Sequence, residues 1–285
     1  MSTEVVVSPF SELVRAELAD APDWSAYASE LGGILETVIE RSAADLLEVS
    51  ELLVNQPLPD RYSGLRNGVG VPPAEAIDLV LRMVAGDGPY CRLSATGRLH
   101  IQSGWDGAVH LWVTPEVSGG LVGFHGGEAS LAFRNTFPEP ADVSNPVKAV
   151  ADEGFWDAVR KVSGGTTLLC ERWAHGAYGC RWFRVNRENA AEVARLVSPR
   201  ALLRVVAEPD LRADAEVLDD DFTAFASPLS PGELVHKEYP GGADSLSDVV
   251  SAGLSLLLAD AAMGRWCAVV PDPDGVNRAQ WESPE

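Results

Sequence analysis

Apolar residues in the first part of the chain recur at steps of three and four residues from Asp23 to about Leu53. This spacing places them along one side of a helix, while glutamates occupy most of the other positions. The pattern predicts an amphipathic helix whose apolar stripe packs on a neighbouring sheet, and Gly32-Gly33 is expected to bend or split it. A second helix is predicted from Pro72-Pro73 to about Ala85, because proline is favoured in the first turn of a helix.

The pattern changes between Pro89 and Arg134, where short apolar runs alternate with turn residues about every ten positions. Connections this short join only antiparallel neighbours. The segment therefore predicts a five-stranded antiparallel meander, on which the N-terminal helices pack. The predicted strands are 89–94, 98–103, 109–115, 120–125 and 128–134.

Residues 135–147 contain three prolines and predict a boundary between two domains, 1–140 and 141–285. The second domain is expected to hold two hairpins and three helices, which together with the first domain makes an α+β fold. An irregular acidic segment is expected at 208–244, because this stretch has several prolines and no clear period. The predicted helices are 150–162, 187–197 and 245–260, the predicted hairpins are 165–173/178–186 and 265–270/276–281, and a single strand is predicted at 201–207.

The chain of 285 residues carries a formal net charge of −20, and its charges are unevenly distributed. Residues 208–285 hold 16 acids against 4 bases, whereas residues 144–207 hold 6 acids against 10 bases. A field this negative repels nucleic acid and anionic membranes and attracts basic partners. The longest apolar run is too short to span a membrane, and the N-terminus lacks the basic region of a signal peptide, so a cytoplasmic protein is expected. Only three of the 22 basic residues are lysines, which is typical of a GC-rich bacterial genome.

The four cysteines, Cys91, Cys170, Cys180 and Cys267, are far apart and form no C-x-x-C pair. This spacing excludes a zinc site built on close cysteine pairs and disfavours a disulfide framework. Each cysteine lies in an apolar or aromatic stretch, so buried thiols are expected. The sequence also lacks phosphate-binding loops, dinucleotide-binding glycines, metalloprotease histidine pairs and nucleophile elbows. It therefore predicts neither a metal nor a cofactor.

A candidate ligand site lies on the predicted meander, at the hairpin that turns through Gly107. If Gly107 takes the left-handed position of a three-residue loop, His100 faces Trp112 and Gln102 faces His110 across the strands. Two imidazoles and an indole then share one face of the sheet, and they predict a pocket between the meander and the N-terminal helices. An ordinary half-buried sheet face is the alternative, because two histidines without a third ligand do not specify a metal. The candidate pocket residues are His100, His110, Trp112, Arg181 and Arg184.

The two arginines of that set belong to a basic stretch, 172–204, in which seven arginines alternate with aromatic residues. Such a pattern can bind single-stranded nucleic acid, but the anionic chain favours internal ion pairs with the carboxylates of residues 210–221. In the same stretch, Cys180 and His175 raise the question of a thiol nucleophile. No catalytic thiol is expected, because Cys180 alternates with Trp182 on a strand and no known signature surrounds it.

The acidic segment provides the second candidate site. Carboxylates surround apolar and aromatic residues there, which suits a basic protein surface because charges accelerate the encounter and aromatic side chains anchor the complex. A solvated loop is the simpler alternative. The sequence favours a non-catalytic bacterial protein of the inhibitor, immunity or adaptor type, and a small-molecule binder or enzyme that uses the meander pocket is the other hypothesis. The candidate partner-binding residues are Asp214, Glu216, Asp219, Asp220, Asp221 and Phe222.

Overall fold

The fold combines helices with antiparallel sheets and is of the α+β class. Contacts divide the chain into two compact units: an N-terminal unit of Met1–Leu53 and Pro59–Pro140, and a C-terminal unit of Val54–Leu58 and Ala141–Glu285. No described helix is both long enough and apolar enough to cross a membrane. The computed structural model describes residues 2–9, 24–104, 106–124, 127–138, 143–212, 220–243, 249, 254–259 and 265–283.

The N-terminal unit is built on one antiparallel sheet. Its strands are β1 (Thr3–Pro9), β2 (Leu47–Leu53), β3 (Gly70–Val71), β4 (Tyr90–Ala95), β5 (Leu99–Ser103), β6 (Val109–Val113) and β7 (Ala129–Arg134). Its described helices are α1 (Trp24–Arg41), α2 (Pro73–Ala85) and α3 (Pro115–Gly119), and a 3-10 turn lies at Asp60–Tyr62. The strand order is β3-β2-β4-β5-β6-β1-β7, so the strand that begins the chain lies inside the sheet.

The first predicted helix was too long. Helix α1 ends at Arg41, where the chain turns through Ala43 at a positive φ of 48°. Residues 47–53 form strand β2, and buried and exposed side chains alternate over its first three residues. The prediction failed here because a short stretch with apolar residues at several spacings fits both a helix and a strand.

The predicted five-stranded meander is a three-stranded one. Strands β4, β5 and β6 are joined by hairpins as predicted, but residues 120–124 of the predicted strand 120–125 form no strand, and residue 125 lies outside the described part of the chain. The chain instead makes the short helix α3, and β7 pairs with β1. Strand β1 was not predicted, because Val5-Val6-Val7 lies between two neighbouring strands and is buried on both faces, which removes the alternation that marks a half-exposed strand.

Alternation along the central strands gives the sheet two different faces. Leu93, Ile101 and Leu111 have no exposed surface and lie on one face, whereas Gln102 and His110 are half-buried on the other. Helices α1 and α2 pack against each other and against the sheet at β7 and β5. Their buried stripes supply the apolar partner that the first face needs. The second face is left for polar groups.

The C-terminal unit contains two antiparallel sheets. Its helices are α4 (Glu153–Val162) and α5 (Ala190–Leu196), and its strands are β8 (Thr167–Arg172), β9 (Cys180–Val185), β10 (Leu202–Ala207), β11 (Leu211–Arg212), β12 (Phe222–Ala226), β13 (Gly232–Leu234), β14 (His236–Tyr239), β15 (Leu254–Leu258) and β16 (Arg265–Val269). One sheet has the order β13-β9-β8-β10-β16 and the other β11-β15-β12-β14. The predicted hairpin 165–173/178–186 corresponds to β8 and β9.

Three predictions for this unit were wrong. The segment 208–244 is not irregular, because it carries β11 to β14 around residues 213–219, which lie outside the described part of the chain. Residues 254–258 form strand β15 in the second half of the predicted helix 245–260, most of whose first half lies outside the described part of the chain. Residues 276–281 form no strand, and β16 pairs with β10 instead of closing a hairpin. Strand β12 was missed because its first four residues are all buried and show no alternation.

The segment Val54–Leu58 belongs to the C-terminal unit because it pairs with the β8–β9 turn. The amide of Val54 donates to the carbonyl of His175 at 2.8 Å, and the amide of Tyr178 donates to the carbonyl of Val54 at 3.0 Å. Gly176, between them, has a φ of +86°, and a Cβ at this position would lie 2.5 Å from the carbonyl oxygen of Val54. Only glycine fits so close a backbone approach.

Candidate functional site

The polar face of the N-terminal sheet has the register that the sequence predicts. His100 lies opposite Trp112 and Gln102 lies opposite His110, and Gly107 has a φ of +80° in the connecting loop. The ring centroids of His100 and Trp112 are 5.3 Å apart in an edge-to-face arrangement. Those of His110 and Trp112 are 5.8 Å apart and stacked. The structure therefore brings these three predicted residues together on one face.

Strand β1 adds a residue to this face that sequence reasoning missed. Glu4 lies opposite Trp112 on the neighbouring strand, and its carboxylate is buried, with only 5% of the side chain exposed. Its Oε1 lies 2.7 Å from Nδ1 of His110, and the Thr136 hydroxyl donates to its Oε2. The sequence signal for this role of Glu4 is weak: it is a single acidic residue next to Val5-Val6-Val7.

These groups form one directional chain of hydrogen bonds. The indole Nε1 of Trp112 donates to the Thr136 hydroxyl at 3.4 Å, Thr136 donates to Glu4, and the imidazole of His110 donates to the other carboxylate oxygen. The ionised form of Glu4 accepts at both oxygens, and this form fits both contacts. Burial alone would raise the pKa of Glu4, but the hydrogen bonds from Thr136 and His110, with the charges of His110 and Arg134, hold that pKa below its ordinary value.

A cavity of about 550 Å³ opens at the end of these strands. Its lining residues come from the β4–β5 turn, from β6 and α3, and from the chain after β7. They are Ser2, Ser94, Ala95, Thr96, Gly97, Arg98, Leu99, His100, Trp112, Val113, Thr114, Pro115, Glu116, Phe137 and Pro138. No residue of α1 or α2 lines this cavity, so it does not lie between the meander and the N-terminal helices, where the pocket was predicted.

His100 is the imidazole that lines the cavity. Burial, with the nearby charge of Arg92, lowers its pKa to about 4, so the ring is neutral near pH 7. Its Nε2 is buried and has no hydrogen-bond partner among the described residues. A buried polar atom without a partner costs free energy, about 1–3 kcal/mol in typical cases. The described residues include no group of three or more side chains able to hold a metal ion.

The predicted arginines of the pocket have other contacts, within the C-terminal unit. Nε of Arg181 donates to the fully buried carboxylate of Glu171 at 2.5 Å, and its Nη2 donates to the carbonyl of Leu196. Nη1 of Arg184 donates to the carbonyl of Leu229. Both arginines therefore stabilise the C-terminal unit through internal contacts.

Three arginines of the basic stretch form ion pairs with described acids; Asp214, Glu216 and Asp219, three of the predicted partners, lie outside the described residues. Arg172 pairs with Glu238 at 3.0 Å and Arg200 pairs with Asp272 at 2.8 Å, as Arg181 does with Glu171. None of these three acids belongs to residues 210–221, where the carboxylate partners were predicted. The partners lie on neighbouring strands and turns, and local sequence does not reveal them.

Cys180 lies beside a histidine, although not the one considered from sequence. Its Sγ is 3.7 Å from Nε2 of His236 and 2.8 Å from Oε1 of Glu238, while His175 packs against Trp281. The hydrogen bond with Cys170, followed by burial, raises the pKa of the Cys180 thiol far above its ordinary value. A thiol held in its protonated form is a weak nucleophile, so this cluster is structural.

The acidic segment lies only partly within the described residues. Asp214, Glu216 and Asp219 lie outside them, and Asp220 and Asp221 are exposed. Phe222, predicted as an aromatic anchor, is 3% exposed and stacks on Tyr239 with ring centroids 4.6 Å apart. A side chain committed to the core cannot anchor a partner, so that role of Phe222 was wrongly predicted.

Comparisons of the chain with protein-family models, with curated proteins and with solved structures give no significant match.

Proposed function

We propose that the N-terminal unit binds a small organic molecule in the cavity at the ends of β5 and β6. The observation that carries the proposal is the cavity itself: about 550 Å³, with Trp112 and His100 in its wall. Binding sites for small molecules typically have volumes of about 300–1,000 Å³ and combine aromatic walls with a few polar groups. The sequence suggested two functions, and the cavity supports the small-molecule binder over the protein-binding protein.

The ionisation states favour binding over catalysis. A neutral imidazole with a pKa of about 4 is a poor proton carrier near pH 7, because it holds a proton only in acid. The buried thiol of Cys180 is kept protonated by its neighbours. His100 can exchange hydrogen bonds with a ligand in the cavity, and Cys180 bonds within the C-terminal unit; neither is activated for chemistry.

Filling the mouth of the cavity should abolish binding without unfolding the protein. Thr96 is exposed in the β4–β5 turn and lines the cavity. Small aromatic and polar fragments that bind the wild type are detected by their saturation-transfer NMR signals. We expect these signals to disappear with Thr96→Trp. The affinity should fall about tenfold or more, which corresponds to about 1.4 kcal/mol.

The matched control is Ser25→Trp, which places the same side chain at an exposed position of α1 that does not line the cavity. Fragments that bind in the cavity should bind this variant like the wild type. If every fragment binds the wild type and both variants equally, or if none binds the wild type, the cavity is not a ligand site.

The acidic segment is a second candidate, as a docking surface for a basic protein. It is favoured by the described acids on its two sides, Asp210 and Asp220, which are both exposed. Clustered charges of one sign accelerate association with a basic partner and make it strongly dependent on salt. Phe222 is buried and is not part of this surface.

For this second candidate, we expect a basic protein that co-purifies at low salt to dissociate at about 1 M salt, where the Debye length is about 3 Å. Replacing Asp214, Glu216, Asp219 and Asp220 with their amides should lower the affinity by about tenfold or more. A control with the same change in charge replaces exposed acids elsewhere, at Glu36, Glu40, Asp45 and Asp60. Equal weakening by both sets would show a general effect of net charge and not a docking segment.

A further inference from the structure

We infer that the ligand of this cavity is a flat aromatic molecule without net charge, held between Trp112 and Phe137. This inference rests on the proposed function and adds the chemical class of the ligand. It follows from three features of the lining: where the aromatic rings lie, how the segment that carries Phe137 is held, and which charges it includes.

The aromatic rings differ in their surroundings. Trp112 is 8% exposed and is fixed by its contacts with His100 and His110, so it forms a rigid part of the wall. Phe137 is 69% exposed, although it is a large apolar side chain that lines the cavity. When a flat apolar surface covers an aromatic side chain that was exposed to water, the free energy of the system falls.

The segment after β7 is attached to the sheet next to Phe137. Thr136, the residue before Phe137, forms hydrogen bonds with both Glu4 and Trp112. The segment is therefore held next to the cavity wall that Trp112 forms. Because Glu4 is buried and bonded to His110 as well, this attachment is part of the hydrogen-bond chain described above. The fold thereby places an exposed aromatic ring at the cavity mouth without burying it.

The described side chains of the lining include one charge of each sign. Arg98 and Glu116 are its ionisable side chains of opposite sign, and His100 is neutral near pH 7. Sites for phosphates or dicarboxylates gather several arginines or lysines, which this lining does not. The other polar side chains are hydroxyls, from Ser2, Ser94, Thr96 and Thr114, and they suit hydrogen bonds with an uncharged polar substituent.

The test uses three probes that share one ring system and differ in charge. Indole is uncharged, indole-3-acetate is an anion, and tryptamine is a cation near pH 7. We expect calorimetric titration of the full chain to give the tightest binding for indole, by about fivefold or more over either charged probe. Phe137→Ala should weaken indole binding about five- to tenfold, as expected for the loss of one aromatic contact.

Phe133→Ala is the matched control, because Phe133 is also exposed, at 42%, and does not line the cavity. It should leave indole binding unchanged. Neither ring is buried in the core, so both variants are expected to fold, and circular dichroism checks this.

Three results would overturn the inference: preference for a charged probe, equal effects of the two phenylalanine substitutions, or no binding of any probe. The Thr96→Trp variant shows whether only the chemical class of the ligand is wrong or whether the cavity is not a ligand site. If a charged probe binds best and Thr96→Trp abolishes its binding, the cavity is a ligand site and only the chemical class is wrong. If probes bind and Thr96→Trp has no effect on them, both proposals fail.

Discussion

Replacing Glu171 with alanine should lower the free energy of unfolding of the C-terminal unit by about 3 kcal/mol. Glu171 is fully buried, and its two carboxylate oxygens accept from Nε of Arg181 at 2.5 Å and from the amide of Ser198 at 2.6 Å. The substitution leaves Nε of Arg181 and the amide of Ser198 without these acceptors. Broken buried ion pairs cost about 3–5 kcal/mol, and the lower end applies because Arg181 keeps 26% of its side chain in solvent.

The chain offers a control for this prediction at the same arginine. Glu233 also faces Arg181, at 3.6 Å, but 57% of its side chain is exposed. Exposed ion pairs contribute about 0–1 kcal/mol, so Glu233→Ala should have little effect. Urea unfolding of both variants, followed by fluorescence, measures the difference. Equal losses of stability would mean that burial does not decide the strength of these two contacts.

Replacing Glu4 with glutamine should lower the stability of the N-terminal unit by about 1–3 kcal/mol at neutral pH. A glutamine side chain has one acceptor oxygen, whereas His110 and Thr136 donate to two different oxygens of Glu4. One donor therefore loses its partner in a buried place. Since Thr136 ties the segment that carries Phe137, the substitution should also weaken binding in the cavity.

The effect of Glu4→Gln should depend on pH in a defined direction. The folded pKa of Glu4 lies below its ordinary value of 4.5, so the ionised carboxylate stabilises the folded state. This contribution is fully present above about pH 4.5 and is lost as the pH falls through the folded pKa. Stability measured from pH 7 down to acid should show the wild type and the variant converging in acid.

Glu36→Gln tests whether this convergence is specific to Glu4. Glu36 is exposed on α1, and the substitution removes the same charge without removing a buried contact. It should leave the stability within about 0.5 kcal/mol of the wild type. A constant difference between the wild type and Glu4→Gln at every pH would contradict an ionised Glu4.

The hairpin of β5 and β6 shows how much of the candidate site could be predicted. Its register follows from the length of the loop and from a glycine at the left-handed position, and both are local properties. Alternation then sets which side chains share a face. For this reason the pairing of His100 with Trp112 and of Gln102 with His110 was predicted correctly.

Glu4 and Thr136 show what could not be predicted. Glu4 is 106 residues from His110 and 132 residues from Thr136 in the chain, yet it contacts both. These contacts exist because β1 lies between β6 and β7 in the sheet. No spacing within a short window encodes the insertion of a distant strand, and strands buried on both faces lack the alternation that would reveal them.

The sequence by itself determined the α+β class, the β4–β5, β5–β6 and β8–β9 hairpins, the burial of Cys91, Cys170 and Cys180 and the negative charge, because these depend on composition and on neighbours in the chain. Only the tertiary structure decided the partner of each arginine, the burial of Phe222 and the place of the cavity. Those features depend on which distant segments meet, and long-range contacts form wherever the whole fold buries the most apolar surface while its buried polar groups find partners.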